Sequence, residues 1–183
     1  MNYAELYKPL YHGSNVSFSV IDLSKSAPNK DFGRGFYMTA DKLQAEKFAR
    51  LKAIRMKANK GYVEGFSFIN FDDLIIKQFD SANEEWFDFI LNNRGFGKYA
   101  DKFADNKINE MFDIVIGPVA NDAVGLVLNQ FIAGVFGDPS LTESKETAIR
   151  LLLTQKLKTQ IFFGTEKAVS RLSFSEVYDV CID

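Results

Sequence analysis

Short β-rich runs and capped helical segments follow one another irregularly along these 183 residues, and that order constrains the fold more than any single motif. A regular strand–helix alternation would give a doubly wound parallel sheet, and an unbroken series of strands would give a sandwich. Neither occurs. Strands are predicted at 9–14, 35–39, 62–71, 112–117, 159–164 and 172–180. Between the first two lies a long polar loop, 15–33, with Pro28 and Gly33. A helix is expected from Asp41 to Asn59, opened by an Asp41-x-x-Gln44 variant of the capping box and stopped by Gly61. Its Phe48, Leu51 and Ile54 recur at helical spacing, as a buried stripe does. Ser81 and Glu84 form a second capping pattern, opening a helix through Trp86, Phe87, Ile90 and Leu91 that ends at Gly95. Asn121 is expected to cap a helix through Val127, Leu128 and Phe131, and Ser140 one through Ile149 to Leu153. The predicted class is α+β in a single domain, 1–183.

Composition removes several functions. Apolar residues make up 46% and charged residues 25%, which suits a globular core and not a disordered tail. Lys and Arg number 22 against 24 Asp and Glu, a net charge of −2, so a mainly electrostatic nucleic-acid binder is disfavoured. The chain has one Cys, Cys181, and one His, His12. No disulfide framework or His- or Cys-rich metal site follows from that, so no metal is expected. Cys181 reads as a small buried hydrophobe. The opening residues, Met1-Asn2-Tyr3-Ala4-Glu5-Leu6-Tyr7, lack a basic region followed by an apolar run. The longest apolar runs, such as 114–116 and 151–153, fall far short of the ~20 residues of a membrane span. The expectation is a cytoplasmic protein with no membrane partner. The 41–60 region carries Lys42, Lys47, Arg50, Lys52, Arg55, Lys57 and Lys60, read as a solvated face in preference to a phosphate-binding one.

Three segments stand out for chemistry. Leu10-Tyr11-His12-Gly13-Ser14 puts an imidazole at a strand end beside a glycine that a ligand can approach closely. Asp31-Phe32-Gly33-Arg34-Gly35-Phe36-Tyr37-Met38-Thr39 sets two glycines around an Arg ahead of an aromatic strand. Lys158-Thr159-Gln160-Ile161-Phe162-Phe163 places an amide at the mouth of a late strand. Each is weak alone.

In this order they resemble the ADP-ribosyltransferase superfamily, in its diphtheria-toxin and poly(ADP-ribose) polymerase branch. That pattern is a His-Gly on the first core strand, a G-x-G-x-Tyr on the second and a Glu or substitute on a late strand. The chain is also similar, over nearly its whole length, to the bacterial family DUF3990. The further residues that carry this likeness are 113–122, Asp-Ile-Val-Ile-Gly-Pro-Val-Ala-Asn-Asp, and 159–168, Thr-Gln-Ile-Phe-Phe-Gly-Thr-Glu-Lys-Ala.

The resemblance implies an ADP-ribosyltransferase-like split β-sheet core with flanking helices. It also implies NAD+ as co-substrate, mono-transfer of ADP-ribose to a protein, nucleic-acid or small-molecule acceptor, and toxin-like or regulatory use with an antitoxin as a partner. On this pattern His12, Tyr37 and Gln160 form the catalytic set, an H-Y-Q variant of the H-Y-E triad. His12 would bond the adenosine ribose, Gly13 the nicotinamide carboxamide, and Gln160 the 2′-hydroxyl of the nicotinamide ribose. Tyr37 and Phe48 would sandwich the nicotinamide ring, Ser14 and Arg34 would contact the ribose and pyrophosphate, and Gly35 would allow the dinucleotide a close backbone approach.

Two departures qualify the comparison. Gln160 carries no charge and cannot act as a base, so polymer synthesis is not implied. Ala45 stands where relatives often place a hydroxyl. Glu166 is a fallback carboxylate that equally suits the opening of a helix. The other readings are an NAD+ or ADP-ribose-binding or protein-interaction module with weakened catalysis, and an NAD+ glycohydrolase.

Overall fold

The computed structural model describes residues 3–95, 112–118, 122–153 and 157–182. Among them lie two sheets and five helices in a mixed α+β arrangement. The strands are β1 (Leu10–Ser14), β2 (Phe36–Met38), β3 (Lys60–Phe68), β4 (Ile76–Gln78), β5 (Ile114–Pro118), β6 (Thr159–Phe163) and β7 (Leu172–Cys181). The helices are α1 (Lys42–Arg55), α2 (Glu84–Arg94), α3 (Asp122–Ile132), α4 (Thr142–Leu153) and α5 (Glu166–Val169). The first sheet is antiparallel, in the order β1-β3-β7; the second runs β2-β6-β5-β4. Among the described strands only β4 and β5 pair in parallel, and α2 lies between them in sequence, as a parallel crossover requires.

One bridge joins the sheets. Tyr11 N–H donates to Thr39 C=O (2.8 Å) and Thr39 N–H to Tyr11 C=O (3.0 Å). The two-residue alternation of a strand then sorts the side chains. Leu10, Phe36, Met38, Phe66, Ile114, Ile116, Ile161 and Phe163 share one core. On the opposite face, Val115 and Phe162 pack with Trp86 and Phe87 of α2, Leu128 and Phe131 of α3, and Leu152 of α4.

Helix α1 corrects the expected stripe. Its buried row is Ala45, Ala49 and Ala53, while Phe48, Leu51 and Ile54 are 54%, 50% and 56% exposed. The cause is close approach to the first sheet. A Cβ on Gly13 would lie 2.2 Å from the Ala45 carbonyl oxygen, and one on Gly61 2.7 Å from that of Ala49. Only methyl side chains fit such a gap. Ile54→Ser is therefore expected to change stability by less than about 0.5 kcal/mol in urea denaturation, as at an ordinary surface position. A loss of several kcal/mol would show that Ile54 is buried after all.

The capping signals hold in part. Asp41 caps α1, its side chain accepting from Gln44 N–H at 3.1 Å. Gln44 bonds the Thr39 hydroxyl, which accepts the Asp41 N–H, so Thr39 completes the cap. Asn83, not Ser81, caps α2 through Trp86 N–H, because the helix begins at Glu84. Gly95 ends α2 in the left-handed conformation (φ 62°). Helix α4 begins at Thr142, two residues past Ser140, whose N–H bonds Asp138 instead. Gly61 lies within β3, and α1 ends earlier, with Lys57 at φ 54°. Strand β4 was not expected. Cys181 is exposed at the end of an edge strand, not buried. The expected cap Asn121 lies outside the described residues.

Candidate active site

The site begins where the bridge between the sheets stops. Tyr11 turns its N–H and C=O outward from β3 to Thr39. Outward-facing groups recur every second residue on an antiparallel strand, so the next are those of Gly13, opposite Tyr37. That pair is not bridged. Instead, the Tyr37 carbonyl takes the His12 side chain, with Nδ1 at 2.7 Å. At this position a side chain takes the place of a main-chain bond between the strands, and the main-chain donor and acceptor of Gly13 face the resulting split.

A carbonyl only accepts, so Nδ1 of His12 carries the hydrogen. Burial pulls the imidazole pKa down to about 4, with Lys52 and Lys30 adding repulsion, against the upward pull of the Tyr37 bond. The ring is neutral near pH 7, and Nε2 presents a lone pair. It stacks on Phe36 (centroids 4.5 Å, 27°) and meets the edge of Phe18 (5.6 Å, 65°).

Tyr37 is held as firmly. Its hydroxyl donates to the Gly33 carbonyl (2.6 Å) and accepts from Phe32 N–H (3.1 Å), closing the turn that carries the two glycines. Burial pushes the phenol pKa well up, so it stays protonated. Its ring lies against Phe162 (5.1 Å), with the Lys30 ammonium 5.0 Å from its centroid. Phe48 is not among its ring neighbours.

Gln160 pairs with Gly117 on β5 and lies one register step beyond Met38–Ile161. The alternation puts it on the face of Phe162 and Tyr37. Its amide has no hydrogen-bond partner among the described residues. His12, Tyr37 and Gln160 lie on three strands that adjoin through the bridge and the β2–β6 pair, with Gln160 beside Thr39. The His12 ring, however, stacks on Phe36, while the Tyr37 and Gln160 side chains take the opposite face of the second sheet.

The flanking residues differ in kind. Ser14 is buried and its hydroxyl accepts from Val16 N–H (3.2 Å), forming a local turn. Arg34 is exposed. Gly35 donates to the Ser26 hydroxyl (3.1 Å), and a Cβ there would overlap the Phe162 ring at 2.2 Å. The glycines at 13 and 35 are therefore required by helix and strand packing. Asp31 anchors the turn to α2 through Arg94 (Nη2–Oδ1 2.5 Å), and Asn93 bonds its carbonyl (2.8 Å). Thr165 caps α5, which makes Glu166 the first residue of that helix.

Three residues of the site were missed in the sequence. Lys30 and Lys52 both act on His12, their pKa values lowered by burial first; Lys52 also repels Lys30, while Glu64 pulls Lys52 up. Lys52 was hidden in a run of surface cations. Glu64 stands directly across the β1–β3 ladder from His12 and is fully buried. Neither carboxyl oxygen makes a well-formed hydrogen bond, although its own and the Phe18 main-chain N–H groups act on it. Burial pushes its pKa up to about 7, against the pull of its own and Phe18 main-chain N–H groups and of Lys52. The alternation of β3 did carry a signal: Tyr62, Glu64, Phe66 and Phe68 form one row, and a carboxylate is out of place in it.

Among the described residues no three His, Cys, Asp or Glu gather as metal ligands, and no helix is long and apolar enough to cross a membrane. None of the curated proteins and none of the solved structures compared with the chain matches it. Residues 9–174 match the family model described as "Protein of unknown function (DUF3990)", and the chain belongs to that family.

Proposed function

We propose that the protein is an NAD+-dependent mono-ADP-ribosyltransferase working at the split between β1 and β2. The observation that carries this reading is the interrupted ladder. A primary carboxamide presents one donor and one acceptor side by side, and the open edge at Gly13 is complementary to it. The neutral His12 next to it offers Nε2 to a ribose hydroxyl, and Lys30 and Lys52 supply positive charge for a pyrophosphate. Two sheets that meet at a single bridge support the reading of a split core.

In the reaction the C–N bond between nicotinamide and ribose breaks, and its electron pair leaves with nicotinamide, which departs neutral. The ribose carbon passes through an oxocarbenium-like state. An acceptor nucleophile then bonds that carbon and loses its proton to the surroundings. The protein's part is to clamp and orient. Gly13 holds the carboxamide, Tyr37 is locked by its own hydrogen bonds as a flat wall, and Gln160 bonds the 2′-hydroxyl of the nicotinamide ribose. Gln160 adds no negative charge to the cationic transition state, so the expected turnover is slow.

Incubation with labelled NAD+ and cell lysate is expected to label an acceptor, and His12→Ala is expected to reduce nicotinamide release by about 100-fold. Failure to bind NAD+ at millimolar concentration would end this reading. The uncharged Gln160 also favours a second one, a module that binds NAD+ or ADP-ribose without transfer. Nicotinamide release seen only in Gln160→Glu would select it, and free ADP-ribose as sole product would identify hydrolysis.

A further inference from the structure

Glu64 sits where a carboxylate is costly. It shares its face of β3 with Phe66, whose ring meets Phe36 (5.8 Å), and it is cut off from water. A buried charge without partners costs several kcal/mol. A purely structural carboxylate would be paired, but no ion pair within 4.0 Å involves Glu64 among the described residues. Lys52 acts on it only at longer range.

Directly across the ladder stands His12, whose Nε2 is an acceptor because Nδ1–H is committed to Tyr37. When Glu64 is ionised, two acceptors stand side by side across a ladder, where Cβ atoms lie roughly 5 Å apart. An ionised Glu64 and a neutral His12 cannot satisfy each other. A ligand with two adjacent donors satisfies both. A cation is disfavoured, because Lys30 and Lys52 already act on this place with positive charge. A vicinal diol is neutral and has the right pair of O–H groups.

We propose that Glu64 and His12 form a clamp for a ribose cis-diol, the carboxylate accepting from one hydroxyl and Nε2 from the other. The proposal rests on the reading of the ligand as a dinucleotide, and it assigns specificity within that class. A 2′-phosphate on the adenosine ribose removes one donor and turns a second negative charge toward Glu64, so the clamp selects NAD+ over NADP+. Phe18 covers the pair, its ring edge-on to His12. No hydrogen bond between main-chain groups ties residues 15–21 to either sheet, but the Phe18 N–H acts on Glu64 itself, so a ligand that enters by displacing this short segment takes over that donor's place.

Binding also moves a proton. The free carboxyl titrates near pH 7 among His12, Lys30 and Lys52, and hydroxyl donors favour its ionised form, so NAD+ binding at pH 7 releases part of a proton. The test is titration calorimetry of the full chain with NAD+ and NADP+, for wild type and Glu64→Gln, in two buffers of different ionisation heat. Wild type is expected to prefer NAD+ by about 100-fold and to release protons. Glu64→Gln is expected to reduce the preference below about tenfold and to abolish the release. If NAD+ binds but preference and proton release are the same in both proteins, the clamp is overturned and the NAD+ reading stands. If NAD+ does not bind wild type at all, the functional reading falls and the clamp with it. Should Glu64→Gln fail to fold, wild-type NAD+ binding without proton release overturns the clamp by itself.

Discussion

Gly13→Ala is expected to destabilise the protein by about 3 kcal/mol or more, at the upper end for overpacking. The added methyl would lie 2.2 Å from the Ala45 carbonyl oxygen and 2.8 Å from the Ala49 nitrogen. Both are backbone atoms of α1, so no side chain can rotate away. The helix must lift off β1, and Ala45, Ala49 and Ala53 lose their packing together. Urea denaturation of Gly13→Ala beside wild type measures the effect. A variant within 1 kcal/mol of wild type, roughly the size of an ordinary substitution, would mean that α1 does not press on β1 as described. The same contact links stability to function. Gly13 must stay bare for the helix, and its bare backbone is what a carboxamide would meet at the split.

Replacing Glu64 with Gln is expected to stabilise the protein by about 1–3 kcal/mol at pH 8 and by little at pH 5. In the folded state the carboxyl holds its proton up to about pH 7, against 4.5 for a free glutamate side chain. Between those values the folded chain binds more protons than the unfolded chain, so stability falls as pH rises from about 4.5 to about 7 and stays lost above. The loss is on the order of 3 kcal/mol, at about 1.4 kcal/mol per pKa unit. Gln removes the charge and keeps the shape, at the cost of amide hydrogen bonds that the site does not offer. His12 acts in the opposite sense. Its pKa of about 4 against 6.5 means that stability is present above pH 6.5 and is lost as pH falls toward 4. The two dependences oppose each other between about pH 4.5 and 6.5, so the signature of Glu64 lies above that window. Denaturation at pH 5 and pH 8 separates them. An equal gain at both pH values, or a loss at pH 8, would contradict a buried ionised Glu64. A residue that lowers stability while facing the candidate site fits the common conflict between stability and function.

Much of this was legible locally. Asp41 announced the start of α1, because a short acceptor side chain before a helix has one geometrically favoured use, the free N–H groups of the first turn. The β-rich runs around Tyr37 and Ile161 formed strands, as did the run around Ile114. Helix α1 shows where local reading failed. Large apolar residues at helical spacing normally mark the buried face, but here Phe48, Leu51 and Ile54 face outward because two glycines on neighbouring strands draw the backbone of the helix too close for them. Ser81 lost the capping role to Asn83 because both side chains suit it and only the position of the first helical residue decides. Strand β4 is three residues long and depends on pairing with β5, so its own sequence held little signal.

The sequence alone determined which groups are available. It has one imidazole, an amide where relatives of the resembled superfamily carry a carboxylate, and glycines at the two strand positions nearest that imidazole's partners. Residue identity settles such things, because a side chain's donors, acceptors and charge need no neighbour to define them. Tertiary structure alone decided their states. It brought Tyr37 C=O to His12 Nδ1 across 25 positions of sequence, which assigns the tautomer. It also set Glu64 opposite that ring and buried it, and burial raises its pKa. Tautomer, desolvation and cross-strand register arise only when distant segments pair, and no local stretch of the chain contains both members of those pairs.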